Sequence, residues 1–141
     1  MPPPHDPPSL PHPLKKLLII SPHWPPVNAP DMQRVRMSLP YYRALGWEPV
    51  VLAVHPDDVA GTREPELTTT WPADVRIVWC RALSLARARR LGLGNLGLRA
   101  WSSLRKAGNR LLKEETFDLV FFSNTQFITY TLGMLWKKRF G

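Results

Sequence analysis

One stretch near the start of the chain constrains the fold most, because its character changes three times between residues 15 and 36. Residues 15–21 form a short apolar run rich in branched side chains, typical of a strand buried on both faces of a parallel sheet. Residues 22–30 contain four prolines, which remove backbone donors and fix φ, so this segment is expected to be irregular. A helix is expected to begin at Asp31, whose side chain can cap it. Strand, irregular loop and capped helix form the opening unit of nucleotide-binding α/β domains.

The rest of the chain extends this unit to four strands and three helical segments. The predicted strands are 15–21, 49–54, 75–79 and 118–123, and the predicted helices are 31–46, 81–115 (with a glycine break at 92–97) and 125–140. Pro40 is expected to kink or divide the first helix, and Gly46 to end it. This order predicts an α/β fold with a doubly wound, Rossmann-like parallel sheet of strand order about 3-2-1-4. The sheet is expected to be incomplete, with the third strand near one edge and the fourth at an exposed hydrophobic edge.

Composition bounds the domain organisation and the partners. Residues 1–13 contain seven prolines, so we expect residues 1–14 to form a disordered Pro-rich tail and residues 15–141 to form one partial domain. The net charge of +8 and the pI near 10.3 indicate an anionic partner. The single Cys80 excludes an intrachain disulfide and fits a reducing compartment. With no apolar run long enough for a membrane span or a secretion signal, we expect a cytoplasmic protein, or one peripheral on the inner membrane face.

Polar residues follow the first and fourth strands, whose carboxyl ends should open into a crevice where the direction of winding reverses. Their hydroxyl, amide and imidazole groups suit a polyhydroxylated ligand, and Trp24 offers a face on which a sugar ring could stack. Arginines in the early turns of the first helix could receive an anion, or could simply be solvated. The other interpretation is that Asn124 and Thr125 only cap the last helix and that His23 is a solvated loop residue. The candidate ligand-binding residues are Ser21, His23, Trp24, Asn28, Gln33, Arg34, Ser123, Asn124, Thr125 and Gln126.

A basic segment is the strongest charge signal in the chain. Residues 81–113 carry nine cations and no acid. From Leu98 onward the pattern predicts an amphipathic helix, with Leu98, Trp101, Leu104, Leu111 and Leu112 on the apolar face. Such a helix suits an anionic lipid surface, or it packs on the sheet with its charges in water, and the two interpretations are compatible. The candidate membrane-binding residues are Arg99, Lys106, Arg110 and Lys113.

The sequence contains no strong catalytic or cofactor motif. Residues 92–97 match G-x-G-x-x-G, but they lie far from the first strand, so a flexible break between helices is the favoured interpretation. Asp57 and Asp58 after a proline are typical of a turn. We predict no catalytic residue, no metal site and no cofactor in this chain.

Two segments carry a resemblance to a known family. The loop and helix from Ser21 to Arg36, followed by Leu45-Gly46-Trp47-Glu48-Pro49-Val50-Val51-Leu52, resemble the start of a family 4 glycosyltransferase of the GT-B fold. The segment 118–123, followed by a helix with a Lys/Arg-rich end, resembles the fourth strand of the same family. Where that family often has paired glycines in its first loop, this chain has Pro25, Pro26, Ala29 and Pro30.

The resemblance implies a function for the whole protein. It implies an N-terminal, acceptor-side domain of an enzyme that moves a sugar from a nucleotide-sugar to a glycan or lipid acceptor, with the crevice residues binding the acceptor. The nucleotide-sugar would bind in a C-terminal domain outside this sequence, so the chain alone is expected to be inactive. The alternative is a non-catalytic basic α/β module that binds anionic lipid or nucleic acid. Nucleic acid is the less favoured partner, because the basic segment has one tryptophan rather than a spread of stacking aromatics.

Overall fold

The computed structural model describes residues 12–141, so most of the predicted Pro-rich tail lies outside the described residues. The strands are β1 (Lys15–Ile20), β2 (Trp47–Val54), β3 (Arg76–Cys80) and β4 (Leu119–Phe122), and the helices are α1 (Pro30–Tyr42), α2 (Leu85–Arg90), α3 (Leu96–Glu114) and α4 (Tyr130–Phe140). Short 3₁₀ turns occupy Arg43–Leu45, Pro56–Asp58, Pro65–Thr69 and Phe127–Thr129. The strands form one parallel sheet in the order β3-β2-β1-β4. The predicted fold class and strand order are confirmed.

β1 lies at the centre of two hydrophobic cores, one on each face of the sheet. Leu18 and Ile20 face the core that α3 and α4 cover, whereas Leu17 and Ile19 face the core that α1 covers. All four side chains are buried, which explains why the strand has no polar alternation. Helices on both faces make the sheet doubly wound and leave its carboxyl edge open for a site.

α1 differs from the prediction at both of its ends. It begins at Pro30, with Ala29 as an N-cap that has no side-chain hydrogen bond, so Asp31 does not cap the helix and the prediction that it does is wrong. The helix continues through the exposed Pro40 to Tyr42, so the proline does not divide it there. A 3₁₀ turn follows, and Gly46 ends it with a φ of 86°, in the left-handed region that favours glycine.

The glycine-rich segment separates two helices, as predicted. Gly92 has a φ of 68° just after α2, and the Asn95 side chain caps α3 by accepting a hydrogen bond from the Leu98 N–H at 3.2 Å. Gly97 lies inside the first turn of α3, where a Cβ would come within 2.7 Å of Ile128. This glycine therefore serves close packing against the segment after β4.

β4 is the last strand of the sheet within the described residues, and only one of its edges is paired. Leu119 is exposed there, and a groove of about 380 Å³ runs between this edge and α4. Its walls include Phe117, Val120 and Phe140, all apolar. The predicted hydrophobic edge is confirmed.

Candidate functional site

The carboxyl ends of β1 and β4 are joined by hydrogen bonds through the start of α1. The Ser123 hydroxyl, after β4, donates to the main-chain carbonyl of Asp31 at 3.3 Å. The Ser21 hydroxyl, after β1, donates to the carbonyl of His23 at 3.0 Å. Both serines are buried, so they hold the loops in place and are not open to a ligand. The two strand ends therefore lie side by side, and we call the set of polar groups around them the β1–β4 crevice.

His23 and Asp31 form a pair at this crevice. The His23 Nδ1 lies 2.8 Å from an Asp31 carboxylate oxygen, and the other carboxylate oxygen accepts a hydrogen bond from the Met32 N–H at 3.1 Å. The Asp31 side chain is 3% exposed and the His23 side chain 15% exposed. A buried carboxylate in the first turn of a helix is stabilised by the helix dipole, so it can hold the imidazole in one orientation. Among the described residues, no protein group bonds the second ring nitrogen, Nε2.

The loop after β4 contributes one buried donor and two accessible side chains. The Asn124 Oδ1 accepts hydrogen bonds from the Gln126 N–H at 2.8 Å and from the Thr129 hydroxyl at 3.1 Å, which is a capping role. Its Nδ2 is buried and has no partner within residues 12–141. Thr125 is exposed, and the Gln126 side chain accepts from the Gly97 N–H at 3.0 Å.

Trp24 is not in the predicted position. Its side chain is fully buried in the core between α1 and the sheet, so it offers no face to a sugar ring. Its ring packs edge-on against Trp71, with the centroids 5.5 Å apart. The prediction that Trp24 stacks on a ligand is wrong, because the indole packs inside the core against Trp71.

The amide side chains at the start of α1 bind one another. The Gln33 Nε2 donates to the Asn28 Oδ1 at 2.7 Å, and the Asn28 Nδ2 donates to Glu64 at 2.9 Å. Arg36 donates to the Gln33 Oε1 at 3.0 Å, whereas Arg34 is exposed. These bonds connect the start of α1 to the β2–β3 connection, and Arg34 is the exposed cation of this group.

A second concavity lies beside the crevice, over the carboxyl ends of β2 and β3, and we call it the tryptophan cleft. It has a volume of about 430 Å³. Its apolar walls are Pro25, Pro26, Pro56, Trp71 and Trp79, and its polar groups are His55, Asp57, Arg63 and Thr68. Sequence reasoning missed this cleft, although one signal was present: Trp79 stands at the carboxyl end of a predicted edge strand. Asp57 and Asp58 do form the predicted turn.

Behind the cleft, Asp58 forms an ion pair with Arg81. Burial alone would raise the pKa of this carboxyl, but hydrogen bonds from the Arg81 side chain and the Ala82 N–H lower the pKa overall. Nearby, burial raises the pKa of the Cys80 thiol to about 12, with the Asp58 charge as a smaller cause. Asp58 is therefore an ionised structural group.

The basic surface of α3 contains three of the four predicted cations. Lys106, Arg110 and Lys113 are exposed. Arg99 is buried, and one of its guanidinium nitrogens donates to the carbonyls of Asp58 at 2.9 Å and Leu83 at 2.8 Å. The assignment of Arg99 to the membrane-facing surface is wrong, because this side chain connects α3 to the two loops that flank β3. Leu98, predicted on the apolar face, is exposed instead.

The fold and its polar carboxyl edge define a protein of the Rossmann-like, parallel α/β class. No family model, no curated protein and no solved structure matches the chain. Between residues 12 and 141, no helix combines the length and the apolar character needed to cross a membrane.

Proposed function

We propose that this chain is the acceptor-binding part of a glycosyltransferase that moves a sugar from a nucleotide-sugar to a glycan or lipid acceptor. Support comes from the strand order, which opens a crevice at the carboxyl ends of β1 and β4, where ligands bind in doubly wound sheets. The observation that carries the proposal is the His23–Asp31 pair at that crevice. Sugar transfer to a hydroxyl needs a group that removes the hydroxyl proton, and an oriented imidazole is the usual choice near neutral pH.

His23 would act on the acceptor in this scheme. The acceptor oxygen bonds to the anomeric carbon of the donor sugar, the nucleotide leaves with the bonding electron pair, and the acceptor proton passes to the His23 Nε2. Asp31 keeps Nδ1 protonated and stabilises the imidazolium that forms, because its carboxylate is 2.8 Å away. Thr125 and Gln126 border the same crevice, where they would hydrogen-bond the acceptor's other hydroxyls.

A transfer assay tests the proposal. Extracts of the source cells, in which the chain would act together with the nucleotide-sugar-binding domain that the proposal requires, are supplied with radiolabelled UDP-glucose, UDP-N-acetylglucosamine or GDP-mannose, and label in lipid and glycan fractions is measured against source cells without the gene. We expect transfer above that background, and a loss of about 100-fold or more in His23→Ala. The matched control is His12→Ala, since His12 is exposed and precedes β1 at the opposite end of the sheet. Absence of transfer, or equal transfer by His23→Ala and wild type, would contradict the proposal.

A second candidate function rests on the basic surface of α3. Lys106, Arg110 and Lys113 are exposed on one helix, and Arg105 lies over the Trp101 ring at 5.6 Å. We propose that this surface docks on anionic lipid, which also serves a transferase whose acceptor is a lipid. Binding to lipid without any sugar transfer would favour the non-catalytic alternative.

A further inference from the structure

We propose that the tryptophan cleft binds the ring of a neutral sugar. Its volume of about 430 Å³ falls within the range of small-ligand sites. Aromatic and proline side chains form its walls, and a few polar groups stand at its rim. No group of the cleft belongs to the His23–Asp31 pair, so this is a separate subsite on the same edge of the sheet.

The aromatic walls are rigid and suit stacking. Trp79 is 40% exposed on the edge strand β3, and the His55 ring packs edge-on against it with the centroids 5.9 Å apart. Trp71 is supported from below by the buried Trp24. Because these rings are already fixed by their neighbours, a sugar that stacks on them loses little binding energy to ordering of the protein.

The polar rim favours an uncharged, hydroxylated ligand. An Arg63 nitrogen lies 3.9 Å from an Asp57 carboxylate oxygen, so the two charges largely cancel. Another Arg63 nitrogen donates to the Pro56 carbonyl at 3.0 Å, which holds the guanidinium beside the cleft. The carboxylate can accept, and the guanidinium can donate, hydrogen bonds with neighbouring sugar hydroxyls. A phosphorylated ligand would gain little here, because the paired rim offers it no net positive charge.

The cleft and the β1–β4 crevice share a loop. Pro25 and Pro26 line the cleft and directly follow His23 and Trp24. The Pro22 carbonyl accepts a hydrogen bond from the Val54 N–H at 3.1 Å, so this loop is tied to the end of β2. The identification of the bound ring as part of the acceptor rests on the proposed function, whereas binding of the ring does not.

A titration followed by ¹H–¹⁵N NMR tests the inference on the full 141-residue chain. The probes are methyl α-D-glucopyranoside, methyl α-D-mannopyranoside, methyl β-D-galactopyranoside and N-acetyl-D-glucosamine, and the readout is the indole N–H resonances. We expect at least one sugar to shift the indoles of Trp71 and Trp79 with a Kd on the order of 1 mM, typical of a small polar ligand.

Two variants and two matched controls locate the site. Trp79→Leu and Arg63→Ala should each weaken binding about tenfold or more, because they remove the stacking face and the hydroxyl donor. Trp47→Leu and Arg87→Ala make the same chemical changes at the amino end of β2 and on α2, and should leave binding unchanged. The Arg63 side chain is 48% exposed, so its variant is expected to keep the fold even where Trp79→Leu does not.

Three results would overturn the inference: none of the four sugars shifts the cleft indoles, binding survives in Arg63→Ala, or adenosine shifts the indoles more strongly than any sugar. Its failure can be distinguished from failure of the proposed function. If the chain binds sugar at Trp79 but the source-cell extracts show no transfer that depends on the gene, the subsite stands and the transferase proposal fails.

Discussion

Cys80, the last residue of β3 and the only cysteine of the chain, shows how position controls chemistry at the scale of one residue. Burial raises the pKa of its thiol to about 12. The thiolate is the reactive form, so the folded protein should react with iodoacetamide at pH 8 far more slowly than the protein in urea. Labelling rates measured by mass spectrometry check this, and comparable rates in the two states would contradict the buried position.

The same thiol makes stability depend on pH. A raised pKa in the folded state means that the folded chain holds the proton between about pH 9 and pH 12, while the unfolded chain releases it. Cys80 therefore contributes stability that is complete below about pH 9 and is lost as the pH rises, with a limiting slope of about 1.4 kcal/mol per pH unit. Urea unfolding across this range should show a steeper decline for wild type than for Cys80→Ala. Parallel declines would contradict the assignment.

Arg99 gives a second prediction for a single side chain. Arg99→Ala leaves the carbonyls of Asp58 and Leu83 without their donor inside the protein. We expect the free energy of unfolding to fall by about 2–3 kcal/mol, the usual cost of unpaired buried groups together with lost packing. Lys106→Ala, an exposed cation on the same helix, should change it by less than about 0.5 kcal/mol. Urea denaturation measures the unfolding free energy of both variants, and equal losses would contradict the buried position of Arg99.

At the scale of elements, α3 and α4 pack through a glycine. A Cβ on Gly108 would lie 2.1 Å from a ring carbon of Trp136, whose indole N–H donates to Asn109 at 3.0 Å and is thereby held in place. At an exposed position inside a helix, replacing glycine by alanine would raise the free energy of unfolding by about 1 kcal/mol through helix propensity. Here overpacking should dominate, so Gly108→Ala is expected to lower the free energy of unfolding by about 2 kcal/mol.

Two control experiments distinguish the effect of helix propensity from the effect of packing at the Gly108–Trp136 contact. Ser102→Ala, on the exposed side of α3, should stabilise the protein by about 0.5 kcal/mol. Gly108→Ala should cost much less in a Trp136→Leu background, because the smaller side chain leaves room for the methyl group. Stabilisation by Gly108→Ala in the wild-type background would show that the two helices do not meet as described.

The elements that the sequence predicted well are those with continuous apolar signals. β1 and β2 are buried on both faces and carry nothing polar in their centres, so their pattern predicts a central strand of a parallel sheet. The ends of α1 were predicted poorly because a proline supplies its first residue, and the Asp31 carboxylate instead binds His23 and the neighbouring Met32 N–H. Whether Asp31 caps the helix or binds His23 depends on the position of the His23 imidazole in the loop, and the local sequence pattern does not predict that position.

The two side chains assigned wrongly to functional surfaces, Trp24 and Arg99, fail for one physical reason. Both are amphipathic groups whose burial depends on contacts distant in sequence, with Trp71 for one and with Asp58 and Leu83 for the other. Helical spacing alone places Arg99 beside exposed lysines. The tryptophan cleft was missed likewise, because two separate loops and the end of β3 must meet before it exists.

At the scale of the whole molecule, charge is distributed unevenly over a protein with a net charge of +8. α3 covers one face of the sheet and presents Lys106, Arg110 and Lys113 to solvent, whereas α1 covers the other face. Near an anionic membrane each cation contributes about 1 kcal/mol. Replacing the three by alanine should therefore weaken binding to vesicles containing phosphatidylglycerol about 100-fold, whereas wild-type binding should fall as salt is added.

The matched control removes the same charge elsewhere: Lys15 begins β1, and Arg34 and Arg36 lie on α1, so their triple alanine variant should bind vesicles nearly as well as wild type. Vesicle co-sedimentation at several salt concentrations distinguishes the two variants. If both lose binding equally, the attraction is a property of net charge and α3 has no special orientation toward the membrane. If single-stranded RNA or duplex DNA binds more tightly than vesicles at equal salt, the basic face serves nucleic acid instead.

A preference for vesicles that depends on α3 would orient the molecule on the membrane. The same helix reaches from the basic face to the loop beside the β1–β4 crevice, where the Gly97 N–H of α3 donates to the Gln126 side chain.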